Sequence, residues 1–406
     1  MIPEGWHVKN LSEITKEKIS YGIVQAGPHV EEGVPYIKSS DLSSSLDINS
    51  LQRTSKEIHC KYRRSAVHPN DIVFSLRGNI GESRIVPSQI EEANLTQGTA
   101  RISIKRCFST EFFYYQIKSS PIINKINSLS KGSTFKEISL EELRKVKVVV
   151  PPPLVQNKIA RILSTWDEAI TTTERLIGAS QQRKRALMQQ LLTGKRRLPG
   201  YTSPWETLFL SDVCYRVTEK NNGQSTNVVT ISGKRGLVLQ TDFFSKSVAS
   251  ETLDGYTILR KGQFAYNKSY SDGYPMGAIK RLNLYDDAVV TSLYICFEVN
   301  EAVACNSFME HYFESGALNR ALKKIAAEGG RAHGLLNVKP SDFFSLSLIL
   351  PGKEEQKAIA SVLSASDREL EILQHKLDCL RQEKRALMQQ LLTGKRRVKV
   401  AEEAVA

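Results

Sequence analysis

One stretch of fourteen residues occurs twice in this chain and constrains any fold that the chain can adopt. The sequence KRALMQQLLTGKRR runs from residue 184 to 197 and again from 384 to 397, which is 200 positions later. Identity over this length is far beyond chance, so the chain contains two copies of one unit. A chain of 406 residues is also too long for one hydrophobic core, and two or three domains are expected.

Each copy ends a long segment that favours helix, over about 154–192 and 354–392. Along both segments the apolar-leaning positions step by four and three residues, which is the pattern of a coiled-coil seam. The seam positions are Ile159, Leu163, Trp166, Ile170, Thr173, Ile177, Ser180, Lys184, Leu187 and Leu191, and then Ile359, Leu363, Ser366, Leu370, Leu373, Leu377, Leu380, Lys384, Leu387 and Leu391. Gly194 and Gly394 stand where a helix is expected to end. The alternative is two unrelated amphipathic helices, each packed on its own core.

Short β-type runs separated by turns precede each long helix. Strands are predicted at 34–37 and 72–74, and the alternation of Arg101 to Lys105 predicts a strand with Ile102 and Ile104 on its buried face. Helices are predicted around 112–117 and over 307–326, and Ser139 begins a capping box. The predicted organisation is a first domain over 1–150, a central helix over 151–197, a second domain over 198–350 and a C-terminal helix over 351–398.

The net charge and the cysteines indicate what kind of partner and which cellular compartment to expect. The formal net charge is +13 and the isoelectric point is about 9.3, which favours a polyanionic partner. The six cysteines form no CxxC pairs, so we expect reduced, mostly buried thiols. The first residues, MIPEGWHVKN, lack the apolar core of a signal peptide, and no apolar run approaches eighteen residues. We therefore expect a soluble cytoplasmic protein.

No recognisable motif for catalysis or for a cofactor is present. The chain has no GxGxxG and no GxxxxGK[ST] loop, and VPPP at 150–153 lacks the residues that flank the adenine pocket of a methyltransferase. Asp71, Glu82 and Arg84 are a poor approximation to the metal site of a nuclease, since arginine replaces the lysine and Asp71 has the position of a turn residue. We expect no catalytic residue, no metal and no cofactor in this chain.

Glycine-punctuated loops that combine basic, amide and aromatic residues are the strongest candidates for a binding site. Arginine reads guanine and asparagine reads adenine through paired hydrogen bonds in the major groove, and a charged stretch over 53–64 could follow phosphates. The candidate DNA-binding residues are Arg77, Asn79, Lys131, Ser133, Thr134 and Lys136 in the first domain, and Lys234, Arg235, Tyr266, Asn267, Lys268, Arg331 and His333 in the second. Any single loop lysine or arginine is more often simply solvated.

The motifs and their order resemble a known family, the specificity subunits of type I restriction–modification enzymes. The stretches that carry the resemblance are VPYIKSSDL (34–42), DIVFSLRGNIGESRIV (71–86), GSTFKEISLEEL (132–143), VVVPPPLVQNKIARIL (148–163), FAYNKSYSDGYPMGAIK (264–280), AEGGRAHGLLNV (327–338), LILPGKEEQKAIASVL (348–363) and the two LLTGK ends. They cover nearly the whole chain.

The resemblance implies an α+β protein with two globular target-recognition domains, separated by two long helices that pack as an antiparallel coiled coil. It further implies a bipartite target in double-stranded DNA, two modification (methyltransferase) subunits as partners, and restriction subunits in the full complex. Methylation and cleavage would belong to those partners. A coiled-coil scaffold that binds only proteins, and a self-contained DNA enzyme, are the alternatives. The target bases and the gap between half-sites are not encoded in any pattern that we can read.

Overall fold

The computed structural model describes residues 2–132, 136–233, 235–243, 252–270, 273–326 and 336–399. The chain mixes helices with sheets and forms two compact units. Unit 1 comprises residues 1–175 and 375–406, and unit 2 comprises residues 176–374. Within the described ranges, no helix is long and apolar enough to cross a membrane.

The domain of unit 1 is built on a four-stranded sheet, a three-stranded sheet and a two-stranded sheet. Its elements are β1 (His7–Asn10), α1 (Leu11–Ile14), β2 (Ser20–Tyr21), β3 (Val34–Ile37), β4 (Arg53–Thr54), α2 (Lys56–Lys61), β5 (Ile72–Ser75), β6 (Ser83–Ile85), β7 (Asn94–Leu95), β8 (Thr99–Ile102), α3 (Thr110–Ile117), α4 (Ser120–Leu129), α5 (Leu140–Lys145) and β9 (Lys147–Val150). The strand orders are β2-β8-β5-β6, β4-β3-β7 and β1-β9. Because β1 pairs antiparallel with β9, the start and the end of this domain lie side by side.

The core of unit 1 draws on both long helices as well as on the domain. Phe74 and Phe112 pack in one cluster with Leu163 from the first long helix and with Leu391 and Leu392 from the end of the second. Removing such large apolar side chains from water is the main stabilising term. The first domain is therefore anchored on two helix segments that are far apart in sequence.

The domain of unit 2 has a similar plan with a different set of sheets. Its elements are β10 (Glu206–Phe209), α7 (Leu210–Val213), β11 (Cys214–Val217), β12 (Val229–Ser232), β13 (Gly236–Leu239), α8 (Gln240–Phe243), β14 (Thr257–Arg260), β15 (Phe264–Asn267), β16 (Ala278–Arg281), β17 (Asp287–Val290), β18 (Ile295–Val299), α9 (Asn306–Glu314), α10 (Asn319–Ile325), α11 (Pro340–Phe344) and β19 (Ser347–Leu350). The strand orders are β11-β18-β15-β16, β12-β13, β14-β17 and β10-β19. The single helix predicted over 307–326 is two helices, α9 and α10, separated by a turn at 315–318.

The two long helices have the predicted positions and length. The first, which follows α5 and is numbered α6, spans Pro153–Leu191, and α12 spans Lys353–Leu391. Every predicted seam position is buried or half-buried, which confirms the 3.5-residue pattern. Gly194 and Gly394 follow the helix ends with φ of +69° and +72°, in the left-handed region that glycine adopts without strain.

Within each unit the two helix segments run antiparallel. In unit 1, Lys384 pairs with Asp167, and Arg381 pairs with Glu174 at 2.7 Å, so residue numbers rise along α6 as they fall along α12. In unit 2 the corresponding ion pairs are Lys184–Asp367 and Arg183–Glu369. The pairs Asp167–Lys384 and Asp367–Lys184 are the same interaction shifted by 200 positions, so the repeat extends from sequence to contacts.

A glutamine on each long helix ties the helix to its domain. Gln156 accepts a hydrogen bond from the backbone N–H of Ser109 at 2.9 Å and donates to the carbonyl of Pro151 at 2.7 Å. Gln356 makes the same two contacts, with Cys305 at 2.8 Å and Pro351 at 2.8 Å. Both glutamines are fully buried, so both amides are satisfied where an unpaired amide would be costly.

Two sequence predictions about burial were wrong in part. Arg101 lies in β8 with 6% of its surface exposed, because both faces of this strand are covered. Among the cysteines, which are all free, Cys214 and Cys296 are buried whereas Cys60 and Cys107 are exposed. Burial raises the pKa of the Cys214 thiol and of the Cys296 thiol to about 12.

Candidate nucleic-acid interface

The first candidate loop of unit 1, residues 76–81, is called loop A. It follows the buried strand β5, and Arg77 and Asn79 are exposed as expected. The Ser75 hydroxyl donates to the carbonyl of Arg77 at 2.9 Å, and Gly78 takes a φ of +68°, a value that glycine tolerates best. The backbone is therefore fixed by local contacts while two polar side chains face outward.

The second candidate loop, residues 131–137, is called loop B, and it lies beside loop A. Lys131 and Glu137 exchange backbone hydrogen bonds of 2.9 Å in both directions, and the N–H of Ile138 donates to the carbonyl of Leu76 at 3.1 Å. An isolated antiparallel bridge joins Arg77 to Glu137. The fold thus brings together two stretches that are more than fifty residues apart in sequence.

The side chains of the two loops form a mixed polar surface. Arg77 makes an ion pair with Glu137, with 2.8 Å between Nε and Oε1, and both side chains are nearly half exposed. Lys131 and Lys136 are exposed on loop B. Ser133 and Thr134, which belong to the same prediction, lie outside the described residues.

A cleft of about 220 Å³ opens beside this surface. Tyr21 and Gln97 line it together with Glu137, and Tyr21 is 43% exposed. Gln97 lies in the turn before β8, and the neighbouring Gly98 accepts a hydrogen bond from the N–H of Leu76 at 2.8 Å. Sequence reasoning missed all three residues because it looked for basic and amide side chains within single loops, whereas this cleft is formed by stretches that are distant in sequence.

The charged stretch of unit 1 forms a separate basic surface. Lys56, Lys61, Arg63 and Arg64 are exposed on α2 and on the turn that follows it. The buried Arg101 braces this turn, because its Nη1 donates to the carbonyl of Ala66 at 2.6 Å and its Nη2 to that of Arg64 at 3.0 Å. Arg101 therefore stabilises the segment that carries the exposed cations.

Four of the seven predicted residues of unit 2 lie among the described residues. Arg235 lies on the tight turn between β12 and β13 and is exposed, with its Nη2 donating to the carbonyl of Asp242 at 3.3 Å. Lys234, Arg331 and His333 lie outside the described residues. Asn267 accepts the backbone N–H of Ser269 at 3.0 Å, so its side chain oxygen shapes the turn after β15.

Tyr266, which was predicted to contact DNA, is part of the hydrophobic core of unit 2. Its side chain is fully buried, stacks on Phe343 with 5.0 Å between ring centroids, and donates its hydroxyl to the carbonyl of Met276 at 2.8 Å. Burial raises the pKa of this hydroxyl above its ordinary value. The strand alternation around Asn267 and Lys268 could have indicated this, since Phe264 and Tyr266 share one face.

Contacts link the predicted stretches of unit 2 as they do in unit 1. The hydroxyl of Tyr274 donates to the carbonyl of Gly233 at 2.9 Å, which joins the loop after β15 to the turn that carries Arg235. The N–H of Leu336 donates to the carbonyl of Lys268 at 2.9 Å. Tyr274 was not among the predicted residues, although it lies in the same stretch as Tyr266.

A polar cavity of about 520 Å³ lies between the domain of unit 2 and its helix segments. Its cations are largely paired: Lys280 with Glu314, Arg281 with Glu310 at 3.1 Å, and Lys184 with Asp367. This cavity therefore holds balanced charge rather than a basic surface.

Asp71 has the turn position that its sequence context indicates. Its Oδ2 accepts the N–H of His68 at 3.0 Å and its Oδ1 accepts the Ser103 hydroxyl, so neither oxygen is free for a metal. In the part of the chain that the structure describes, no group of three or more histidine, cysteine or carboxylate side chains is placed to hold a metal ion.

Comparison with known proteins finds similarity to one family. The family model described as the type I restriction modification DNA specificity domain matches residues 3–178. The EcoBI specificity subunit of Escherichia coli is 30% identical over 196 residues, which are 47% of this chain and 41% of that protein, so the chain spans less than half of this relative. The MjaVIII specificity subunit of Methanocaldococcus jannaschii is 24% identical, with 98% of this chain and 94% of that protein covered.

The fold agrees with this match. The solved S subunit of the type I system from M. genitalium has a TM-score of 0.58 at 14% identity, over 96% of each chain. A globular α+β domain beside antiparallel helix segments in each unit defines the class, a two-domain α+β protein with a coiled coil. Within that class, the proteins that this chain resembles are specificity subunits of type I restriction enzymes, over 47% of the chain at 30% identity and over 98% of it at 24% identity.

Proposed function

We infer that this chain is the sequence-specific DNA-recognition subunit of a type I restriction–modification system, and that it reads a bipartite target with one half-site for each domain. The observation that carries this proposal is the convergence of polar loops in each unit: loops A and B in unit 1, and the linked stretches around Arg235 and Lys268 in unit 2. Paired donors on adjacent loops can contact neighbouring base edges. The family match favours this function over a scaffold without DNA specificity.

The proposed DNA contacts of unit 1 are Arg77 and Asn79 with Lys131, Ser133, Thr134 and Lys136, and those of unit 2 are Lys234, Arg235, Asn267, Lys268, Arg331 and His333. Tyr266 is excluded because it is buried and stacked on Phe343. The domains differ in sheet order and in loops while the helices repeat, which suits two different half-sites read from one scaffold.

Methylation and cleavage are assigned to partner subunits, with two modification subunits on each specificity chain. The repeated segment supports two equal partners. Before the repeated segment, the positions at which the two helices carry the same residue are mostly buried or in ion pairs. Examples are the buried Gln156 and Gln356, and Asp167 and Asp367, each of which pairs with a lysine. Within the repeated segment, identity extends to exposed positions that packing does not constrain: Arg185, Gln189, Gln190, Lys195 and Arg196, each repeated 200 positions later.

Exposed positions drift freely because most surface substitutions change stability by less than about 0.5 kcal/mol. A common binding partner explains why these positions match in both copies. DNA and these partners meet in the cytoplasm, where we place the action of this chain.

The test is a map of methylated bases in DNA from cells that carry this chain with its modification subunit. We expect a split motif that is lost when the chain is deleted. Exchanging residues 1–150 for the same region of another family member is expected to change one half of the motif only. A change in both halves would contradict the assignment of one half-site to each domain.

A further inference from the structure

Loop A carries an arginine whose guanidinium is already held before any DNA is bound. Arg77 pairs through Nε with the Glu137 carboxylate at 2.8 Å. A guanidinium engaged through Nε still has its Nη1 and Nη2 groups, and arginine contacts the O6 and N7 of guanine through two such donors. The pair therefore leaves a donor edge for a base.

Glu137 itself is fixed by the backbone. Its N–H and its carbonyl both bond to Lys131 at 2.9 Å, and the next residue, Ile138, bonds to the carbonyl of Leu76, directly before Arg77. The carboxylate therefore projects from a short bridged segment that is in register with loop A. Movement of Glu137 relative to Arg77 would break these backbone contacts.

A carboxylate on a DNA-facing surface is unfavourable unless it has a specific role, because it repels phosphates. Glu137 lies among Arg77, Lys131 and Lys136, so it is the acidic residue of an otherwise basic pair of loops. Its carboxylate forms its ion pair with Arg77.

We propose that Glu137 is a positioning residue for base recognition: it holds the Arg77 guanidinium through Nε so that Nη1 and Nη2 stay available to a guanine edge of the first half-site, next to the cleft that Glu137 lines with Tyr21 and Gln97. This proposal rests on the proposed function. Holding a long side chain in its bound rotamer reduces the entropy lost on binding, and it does so only for the base geometry that the held rotamer matches. Glu137 thus contributes to the choice of base more than to overall affinity.

The test measures base preference with the full chain in complex with its modification subunit, on DNA in which one half-site is randomised. We compare Glu137→Gln, Arg77→Ala and the double variant. Glu137→Gln is expected to relax one position by about tenfold, the scale of one paired arginine contact, and this must be the position that Arg77→Ala relaxes. In the Arg77→Ala background the second change is expected to have no further effect on that position.

Glu82→Gln is the matched control. Glu82 lies next to loop A and has a similar exposure, and its carboxylate faces Arg84 at 3.7 Å rather than Arg77. The Glu82→Gln change removes one negative charge from the same region as Glu137→Gln does, so a general electrostatic effect on DNA binding would appear in both variants. We expect Glu82→Gln to leave the preference at the Arg77 position unchanged.

Several results would overturn the proposal. Uniformly tighter binding of all sequences by Glu137→Gln, with base preference unchanged, would mean that Glu137 only repels phosphates. If Glu137→Gln does not fold, Glu137→Asp decides: it keeps the charge and shortens the side chain by one methylene, so positioning predicts a partial relaxation and a purely electrostatic role predicts none. Absence of any half-site preference in the unaltered complex would instead overturn the proposed function itself.

Discussion

The ion pair between Lys184 and Asp367 gives the sharpest test of how the helix segments are held together in unit 2. Replacing Asp367 by asparagine removes the anion and keeps the shape of the side chain. Lys184 is only 16% exposed and Asp367 is 37% exposed, so the pair lies between the exposed class, which contributes about 0–1 kcal/mol, and the buried class, in which breaking one partner costs about 3–5 kcal/mol. We expect Asp367→Asn to lower the free energy of unfolding of unit 2 by about 1–2 kcal/mol.

For a unit of this size that loss corresponds to a decrease in melting temperature of about 2–8 °C. Trp205 is the one tryptophan of unit 2, since Trp6 and Trp166 belong to unit 1, and the Arg197 guanidinium lies 5.8 Å from its ring. Fluorescence of Trp205, in a chain with Trp6→Phe and Trp166→Phe, therefore reports on unit 2 during thermal or urea unfolding.

A double-mutant cycle with Lys184→Met isolates the pair from other effects of each change. We expect a coupling free energy of about 1 kcal/mol. The matched cycle in unit 1 uses Asp167→Asn and Lys384→Met, read by the tryptophans of that unit. A coupling below about 0.3 kcal/mol in both cycles would refute the reasoning, because the repeated pairs would then be surface contacts that solvent replaces without cost.

Three further predictions concern pH, the helix ends and the spacing of half-sites. Burial lowers the pKa of His311 despite the nearby Asp367 carboxylate. The folded unit therefore binds a proton less readily than the unfolded chain, so the stability of unit 2 should fall as the pH drops below about 6.5. In thermal melts from pH 7.5 to 5.5, the decrease in melting temperature should be smaller for His311→Gln. Gly394→Ala should lower the free energy of unfolding more than Gly194→Ala does, by at least about 1 kcal/mol. Both glycines have positive φ, but the new Cβ at 394 would lie 2.3 Å from a Pro3 carbon, whereas the atom nearest to a Cβ at 194 is 3.4 Å away. Equal losses of stability in the two variants would contradict this. Inserting seven residues between 170 and 180, with a matching insertion in α12, keeps the seam in register. It should widen the gap in the methylated motif by about three base pairs, since seven helical residues span about 10 Å. An altered half-site with an unchanged gap would contradict the role of the helices as a spacer.

The helices could be predicted closely because their signal is local and repeated. Periodic apolar positions from Ile159 to Leu191 and a glycine after each end are readable without knowledge of the rest of the chain, and the bounds agree within a residue or two. The capping box at Ser139 is local too, and its hydroxyl accepts the N–H of Glu142 at 3.2 Å as expected. Short-range patterns of this kind do not depend on tertiary context.

The candidate site was predicted only in part because its geometry depends on contacts between distant stretches. Loop A and loop B were identified separately, and nothing in the sequence indicates that Glu137 pairs with Arg77 or that Gln97 lines the adjoining cleft. Arg101 was misread for the same reason, because it lies on a strand face that looks exposed by alternation and is covered by a distant segment. Tertiary packing overrides period-two alternation where both faces of a sheet are covered.

The contribution of Leu391 and Leu392 to the core of unit 1 has a consequence for how the chain is made on the ribosome. The partners of these residues, among them Ile159 and Leu163, are synthesised about 230 residues earlier, which is a delay of about 11–46 s at ordinary elongation rates. During that interval the nascent first domain exposes an apolar groove that only the last helix turns can cover. We expect chaperones to engage the emerging chain at this groove, and slow stretches of codons in the second half of the message to increase aggregation of the first domain.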